Sequence, residues 1–318
     1  MRLSATHIWQ LLLLVVNLKQ VVLAQDEPNC GYLNEASFAN RSNVVDLNEH
    51  PWIARVGYET DRGIAYKCLA VLITRQHLLA PAQCFNEVAL KAEPVRWVLL
   101  GDWNPTNPFM ERDCDARQNC NQVPLLVAID EIIIHPNYDE RMLANNLSIL
   151  KLIQPVTFSN FISPICLHAR KTITYSGQYF IYAGFAVDEN IGYKLKAVTQ
   201  LQETMRCRET LMRQNYVRAA LAFTVNPLCG NSNQTTPLVS GSPLMGVNVE
   251  SAKPQSYYLA GLLQTMTNQN NSLIFIRVQP HIEWIEKSTR LETSTLPTII
   301  PAHLVRYEKH TTRIVNAK

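Results

Sequence analysis

The sequence predicts an all-β protein built from antiparallel strands, arranged as a barrel or a sandwich. Two observations carry this. From about Pro51 to Val278, short apolar runs of strand length alternate with polar turns. Few stretches between them show the periodicity of a helix long enough to cover a sheet. The 318 residues, 47% apolar and 17% charged, suffice for a substantial core in one large domain or two small ones.

In chain order, residues 1–24 read as a secretory signal peptide. Arg2 and His7 precede an apolar run from Ile8 to Val16, and Val22 and Ala24 supply the small residues that signal peptidase prefers. Lys19 breaks the run short of the roughly 20 apolar residues a membrane span needs, and no later stretch comes close. The mature chain is therefore expected to be secreted and extracellular, with no membrane span. The clearest strands are "WIARVGY", "CLAVLI", "HLLA", "RWVLLG", "EIIIH", "LSILKLI", "YFIYAG", "YYLAGLLQ" and "LIFIRV". "MRCRETLMRQ" reads as a short helix, and "QPHIEWIEKSTR" as a second with Ile282, Trp284 and Ile285 on overlapping faces. Residues 289–318, rich in Thr, Ser and basic side chains, are expected to form a mostly unfolded tail, within which "TIIPAHLV" is apolar enough to dock on a surface.

Composition removes some classes of function. A net charge of +3 with no run of five or six like charges argues against a nucleic-acid partner. The eight cysteines (Cys30, Cys68, Cys84, Cys114, Cys120, Cys166, Cys207 and Cys229) are even in number, as expected of a disulfide framework in an oxidising compartment. Counting alone leaves about 105 pairings open. No CxxC pair or histidine cluster suggests zinc, so neither metal nor cofactor is expected. Asn40, Asn146, Asn233 and Asn270 each begin a glycosylation sequon.

Six segments together narrow the fold. "EHPWIARVGY", "VRWVLLGDW", "EIIIHPNY", "ISPICLHA", "VSGSPL" and "IFIRVQPHIEWI" follow one another in the order and spacing of a chymotrypsin-like (trypsin-like) serine protease. The last two correspond to the family's "DSGGPL" and "VYTRVxxYxxWI". From about Cys30 to Lys287 the chain resembles this family, in particular the clip-type proteases and protease homologues of arthropod haemolymph. The resemblance implies two six-stranded antiparallel barrels and a C-terminal helix over residues 45–288. It also implies four bridges: Cys30–Cys166, tethering the segment 25–44, Cys68–Cys84, Cys114–Cys120 and Cys207–Cys229. The family's usual bridge beside the nucleophile has no cysteines in this chain, and the six cysteines of a clip module are missing between Gln25 and Cys30.

The same resemblance places Ser240 at the nucleophile. Gln83, in "LLAPAQCF", falls at the general base, and Asn146, in "NNLSILKL", at the carboxylate that orients the base. An amide can hydrogen-bond a hydroxyl but has no protonation near neutral pH, so Gln83 cannot take the serine proton. In serine proteases, loss of the base costs on the order of 10⁶ in kcat, and exchanging the orienting Asp for Asn about 10⁴. His77 lies six residues upstream of Gln83 and is not expected to substitute; His50 and His135 match non-catalytic family positions.

Other family positions are altered as well. Val239 replaces the aspartate that captures a new N-terminus after cleavage, and Leu238, following Pro237, replaces a glycine of the oxyanion hole. "RSNVVD", starting at Arg41, stands where the activation sequence should read Arg-Ile-Val-Gly-Gly. Gln234 falls at the floor of the specificity pocket, and Met266 and Leu273 at its two wall glycines, where side chains of their size would fill the slot. The expectation is a secreted protease homologue without catalysis. It would act as cofactor, regulator or decoy in an extracellular immune or melanisation cascade, with active clip-type proteases, their zymogens or their substrates as partners. Two alternatives stand beside it: a serine endopeptidase with an unconventional base, and a module for carbohydrate or microbial surfaces using Trp97, Trp103 or Tyr138. Asn146 is expected to be buried and unglycosylated, unlike Asn40 or Asn270.

Overall fold

The computed structural model describes residues 30–85, 90, 93–167, 175, 177–213, 227–232, 236–266, 272–290 and 313–316. The signal peptide, Asn233, Gln234 and Asn270 lie outside the described residues.

Six strands close the first barrel: β1 (Ile53–Thr60), β2 (Gly63–Leu72), β3 (His77–Ala80), β4 (Val95–Leu100), β5 (Leu125–Ile134) and β6 (Ser148–Leu152). Their hydrogen-bonded order is β5-β4-β1-β2-β3-β6, and β6 pairs back onto β5. Closure leaves no free edge among the six, except along one side of β5, where β4 reaches only residues 125–128. Inward alternation appears in β5, whose Val127, Ile129 and Ile132 are buried.

The second barrel uses β7 (Tyr179–Gly184), β8 (Leu195–Gln200), β9 (Leu228–Asn231), β10 (Pro243–Glu250), β11 (Lys253–Met266) and β12 (Ser272–Arg277), in the order β8-β7-β10-β11-β12-β9. All pairings are antiparallel. Its ends, β8 and β9, form no ladder; the isolated bridge Leu201–Gly230, the Gln202 N–H donating to Cys229 O and Thr199 Oγ1 donating to Asn231 O join them, so a seam remains there. β11 explains why "YYLAGLLQ" reads as a continuous apolar run. Tyr258 and Ala260 face the second barrel's core, while Tyr257 and Leu259 join the larger cluster that continues into the first barrel.

Three helices complete the described chain: α1 (Glu35–Ala39), α2 (Thr204–Arg213) and α3 (Ile282–Arg290). The four disulfides are Cys30–Cys166, Cys68–Cys84, Cys114–Cys120 and Cys207–Cys229, the pairings the resemblance implied. Of the tail, residues 291–312, 317 and 318 lie outside the described residues, the stretch "TIIPAHLV" among them. Residues 289 and 290 continue α3, and β13 (Arg313–Asn316) lies parallel to β5, opposite Glu131–Ile134. The physical reason is the unpaired side of β5, whose backbone groups favour another strand.

Candidate functional site

Gln83, Asn146 and Ser240 meet between the barrels. Gln83 lies in the 3-10 turn Ala82–Phe85 after β3, pinned by the Cys68–Cys84 bridge and by the Tyr58 hydroxyl, which donates to the Cys84 carbonyl at 2.9 Å. Asn146 precedes β6 and is 1% exposed. The two amides bond reciprocally: Asn146 Nδ2 donates to Gln83 Oε1 at 2.7 Å, and the Gln83 backbone N–H donates to Asn146 Oδ1 at 2.8 Å. Gln83 Nε2 then donates to Ser240 Oγ at 3.1 Å and to the Gln264 carbonyl at 3.0 Å. Flipping the Gln83 amide would set two acceptors against each other at Gln264 and two donors at Asn146, so the network itself fixes this orientation.

Ser240 Oγ therefore receives a hydrogen bond where a nucleophile would give one. Its own proton points to the carbonyls of Leu263 and Gln264, at 3.2 and 3.3 Å. Neither carbonyl is a base at neutral pH. Among the described residues no titratable side chain hydrogen-bonds this hydroxyl. His77 is buried in β3 with Nδ1 at 2.9 Å from Thr74 Oγ1.

The turn carrying Ser240 is held by both barrels. The Leu69 N–H of β2 donates to the Ser240 carbonyl at 2.8 Å, and the Gly241 N–H donates to the Leu263 carbonyl of β11 at 2.7 Å. Gly241 has φ +93°, and a Cβ there would sit 2.0 Å from the Leu69 carbonyl oxygen, so only glycine fits. Upstream, Leu238 is buried in the second core, and Ala186 and Leu238 form a bridge in which the Val187 N–H donates to Pro237 O and the Val239 N–H to Phe185 O. Met266 and Leu273 are cross-strand partners on β11 and β12; Leu273 is 0% exposed and Met266 packs on the same core.

Sequence reasoning missed a second cluster. Lys196 in β8 is buried, and its Nζ lies 2.8 Å from both Glu49 carboxylate oxygens and 3.0 Å from the Ser37 carbonyl. It thereby clasps α1 and the segment before β1. Burial raises the Glu49 pKa in spite of this partner. Burial also lowers Lys194 to about 8, against the pull of Asp102, Glu49 and Asp113, and holds His50 well below the usual imidazole value, reinforced by Lys194 and Lys196. The signal was in "GYKLKAV": period-2 spacing puts Lys194 and Lys196 on one face of a strand. Just beyond Arg41 the uncut chain is already stitched to this strand, with the Val45 N–H donating to Lys194 O at 3.0 Å and the Lys196 N–H to Asn43 O at 2.8 Å.

Comparison with known proteins gives a consistent picture. The sequence profile of the family described as Trypsin matches residues 41–285. The CLIP domain-containing serine protease B9 of Anopheles gambiae is 28% identical over 237 residues, 69% of this chain and 54% of that protein, so the chain spans about half the length of that relative. Melanization protease 1 of Drosophila melanogaster is 26% identical over 83% of this chain and 68% of that protein. Phenoloxidase-activating factor 3 of Holotrichia diomphalia is 24% identical over 84% and 76%. Among solved structures, the Drosophila Grass clip serine protease of the Toll pathway superposes with a TM-score of 0.64 at 21% identity, covering 84% of this chain and 76% of that one.

Proposed function

Since this chain belongs to the trypsin family yet bears an amide at the base position, we propose that it is a secreted, catalytically silent member that works by binding other proteins. The observation that carries this reading is the direction of the hydrogen bonds at Ser240. Acyl transfer begins when a base withdraws the hydroxyl proton as oxygen attacks. Here the proton faces two carbonyls and the lone pairs face a donor, so attack would break both contacts and leave the proton without an acceptor.

Two further features support silence. The resemblance puts Leu238 at an oxyanion-hole glycine and Met266 and Leu273 at the walls of the specificity pocket, and these bulky side chains pack in the second core. Secretion is supported by the leader-like residues 1–24 and by the four disulfides. The setting comes from the relatives, whose names include a melanization protease and a phenoloxidase-activating factor. We place this chain in such a cascade as cofactor, regulator or decoy, with active clip-type proteases, their zymogens or their substrates as partners.

A fluorophosphonate probe, which labels activated serines, tests the proposal. Residues 25–318 are expressed with intact disulfides, exposed to an activating protease that is then removed, and incubated with the probe. The expected outcome is no labelling at Ser240. Labelling that vanishes in Ser240→Ala would establish an active endopeptidase with an unconventional base and refute the proposal.

A further inference from the structure

Where the second barrel fails to close, its seam opens into a cleft of about 630 Å³. Tyr179 of β7, Gln200 of β8, Gln202 after it, Glu203 and Arg206 at α2, and Asn231 of β9 supply its polar lining. The volume lies in the range of about 300–1,000 Å³ typical of small-ligand sites. The cleft shares no residue with the Gln83–Asn146–Ser240 cluster.

Its chemistry is specific. Tyr179 is 70% exposed, a large aromatic residue left open to solvent beside the cleft. Three neutral amides converge from opposite sides of the seam, each able to pair a donor with an acceptor. Gln202 Nε2 donates to Asn231 Oδ1 at 3.0 Å and Gln200 Nε2 to the Gly177 carbonyl at 2.9 Å, so both side chains are held in place. Gln202 Oε1 itself is buried, so what the cleft offers a ligand is the exposed amides of Gln200 and Asn231. Glu203 and Arg206 bring one charge of each sign, so the lining has no net preference for an ion.

We propose that this seam binds a neutral oligosaccharide. A pyranose presents an apolar C–H face that fits an aromatic ring and vicinal hydroxyls that match amide donor–acceptor pairs. An apolar ligand would bury the amides without partners, and a polyanion would meet Glu203 with only one arginine to offset it. The site is independent of the proposed protease-cascade role and of whether Ser240 reacts. The neutral sugar has two sources, a microbial polysaccharide or the glycan of a host glycoprotein.

Isothermal titration of the disulfide-intact protein with laminarihexaose, chitohexaose and a high-mannose N-glycan, with a heparin octasaccharide as the charged control, tests this. Saturable binding of at least one neutral probe is expected. Preference for the first two indicates a microbial source, and preference for the third a glycoprotein. Tyr179→Ala should weaken binding by about tenfold, the loss of one aromatic contact. Gln202→Leu should do the same. Because Tyr179 is exposed, its variant should melt as the parent does, which separates loss of the site from loss of the fold. No binding of any neutral probe at millimolar concentration, binding confined to heparin, or affinity unchanged in Tyr179→Ala would each overturn the proposal.

Discussion

If Gln83 is a structural clamp, removing it should cost stability, whereas a residue held for catalysis is often accommodated at the expense of stability. Gln83→Ala deletes three side-chain hydrogen bonds: one accepted from Asn146 and two donated, to Ser240 and Gln264. Each contributes about 0.5–1.5 kcal/mol net. Gln83 is only partly buried, so water can reach the orphaned partners, and the sum stays near its centre at about 2–3 kcal/mol. For a domain of this size each kcal/mol shifts Tm by about 2–4 °C, so a fall of about 5–10 °C is expected. Thermal and urea melts with the disulfides intact measure it. Coupling to Ser240→Ala in a double-mutant cycle should be clearly non-zero, because the two side chains share a bond. A neutral or stabilising Gln83→Ala would refute the reasoning and return the position to the catalytic account.

Lys196→Met strands the Glu49 carboxylate in the interior and should destabilise by about 3–5 kcal/mol in urea melts, while Lys196→Met with Glu49→Met should recover most of that loss. The His135–His281 pair gives a pH signature. The Asn137 N–H occupies His135 Nδ1, so the His135 Nε2–H donates to His281 Nδ1 at 3.3 Å, and an added proton must break one of these bonds. Burial, with His135 adding to it, lowers His281 to about 4, so stability is fully present above pH about 6.5 and is lost as pH falls toward 4. The Tm difference between the parent and His281→Phe should shrink over that interval, and a pH-independent difference would contradict the assignment.

Much of the barrel architecture was legible because buried strands announce themselves. "CLAVLI", "HLLA" and "LIFIRV" sit within β2, β3 and β12 with at most a residue's overhang, and all are largely buried. β8 and β9 were not legible. β8 carries Lys194 just before it and Lys196 within it, charges that normally mark a solvated face, and only tertiary contacts with Glu49 and Ser37 reverse that meaning. β9 is four residues long, too short for a period to register. At the site, residue identities placed amides at Gln83 and Asn146. They did not tell that the backbone carbonyls of Leu263 and Gln264 take the hydroxyl proton, since every residue has a carbonyl. Asn146 was expected in the interior and lies there. The seam cleft is a property of strand closure and has no signature in any one segment.

The parts of the serine turn that serve packing and those that serve chemistry separate cleanly in this molecule. Gly241 keeps the positive φ that lets the turn approach β2, and the Leu69 and Leu263 backbones clamp it from the two barrels. Both contacts tie the turn to the two barrels whatever Ser240 does. The activation segment follows the same logic. The family resemblance puts Val239 where an aspartate would draw a freed ammonium, and the interior near residues 43–45 holds the cations Lys194 and Lys196. The Glu49 carboxylate in this interior is already paired with Lys196, so a new ammonium there would meet a desolvation cost beside two buried lysines. The uncut chain already makes the backbone bonds at Asn43 and Val45. On the proposed reading, cleavage at Arg41 would have little left to drive, because these backbone bonds stand before it.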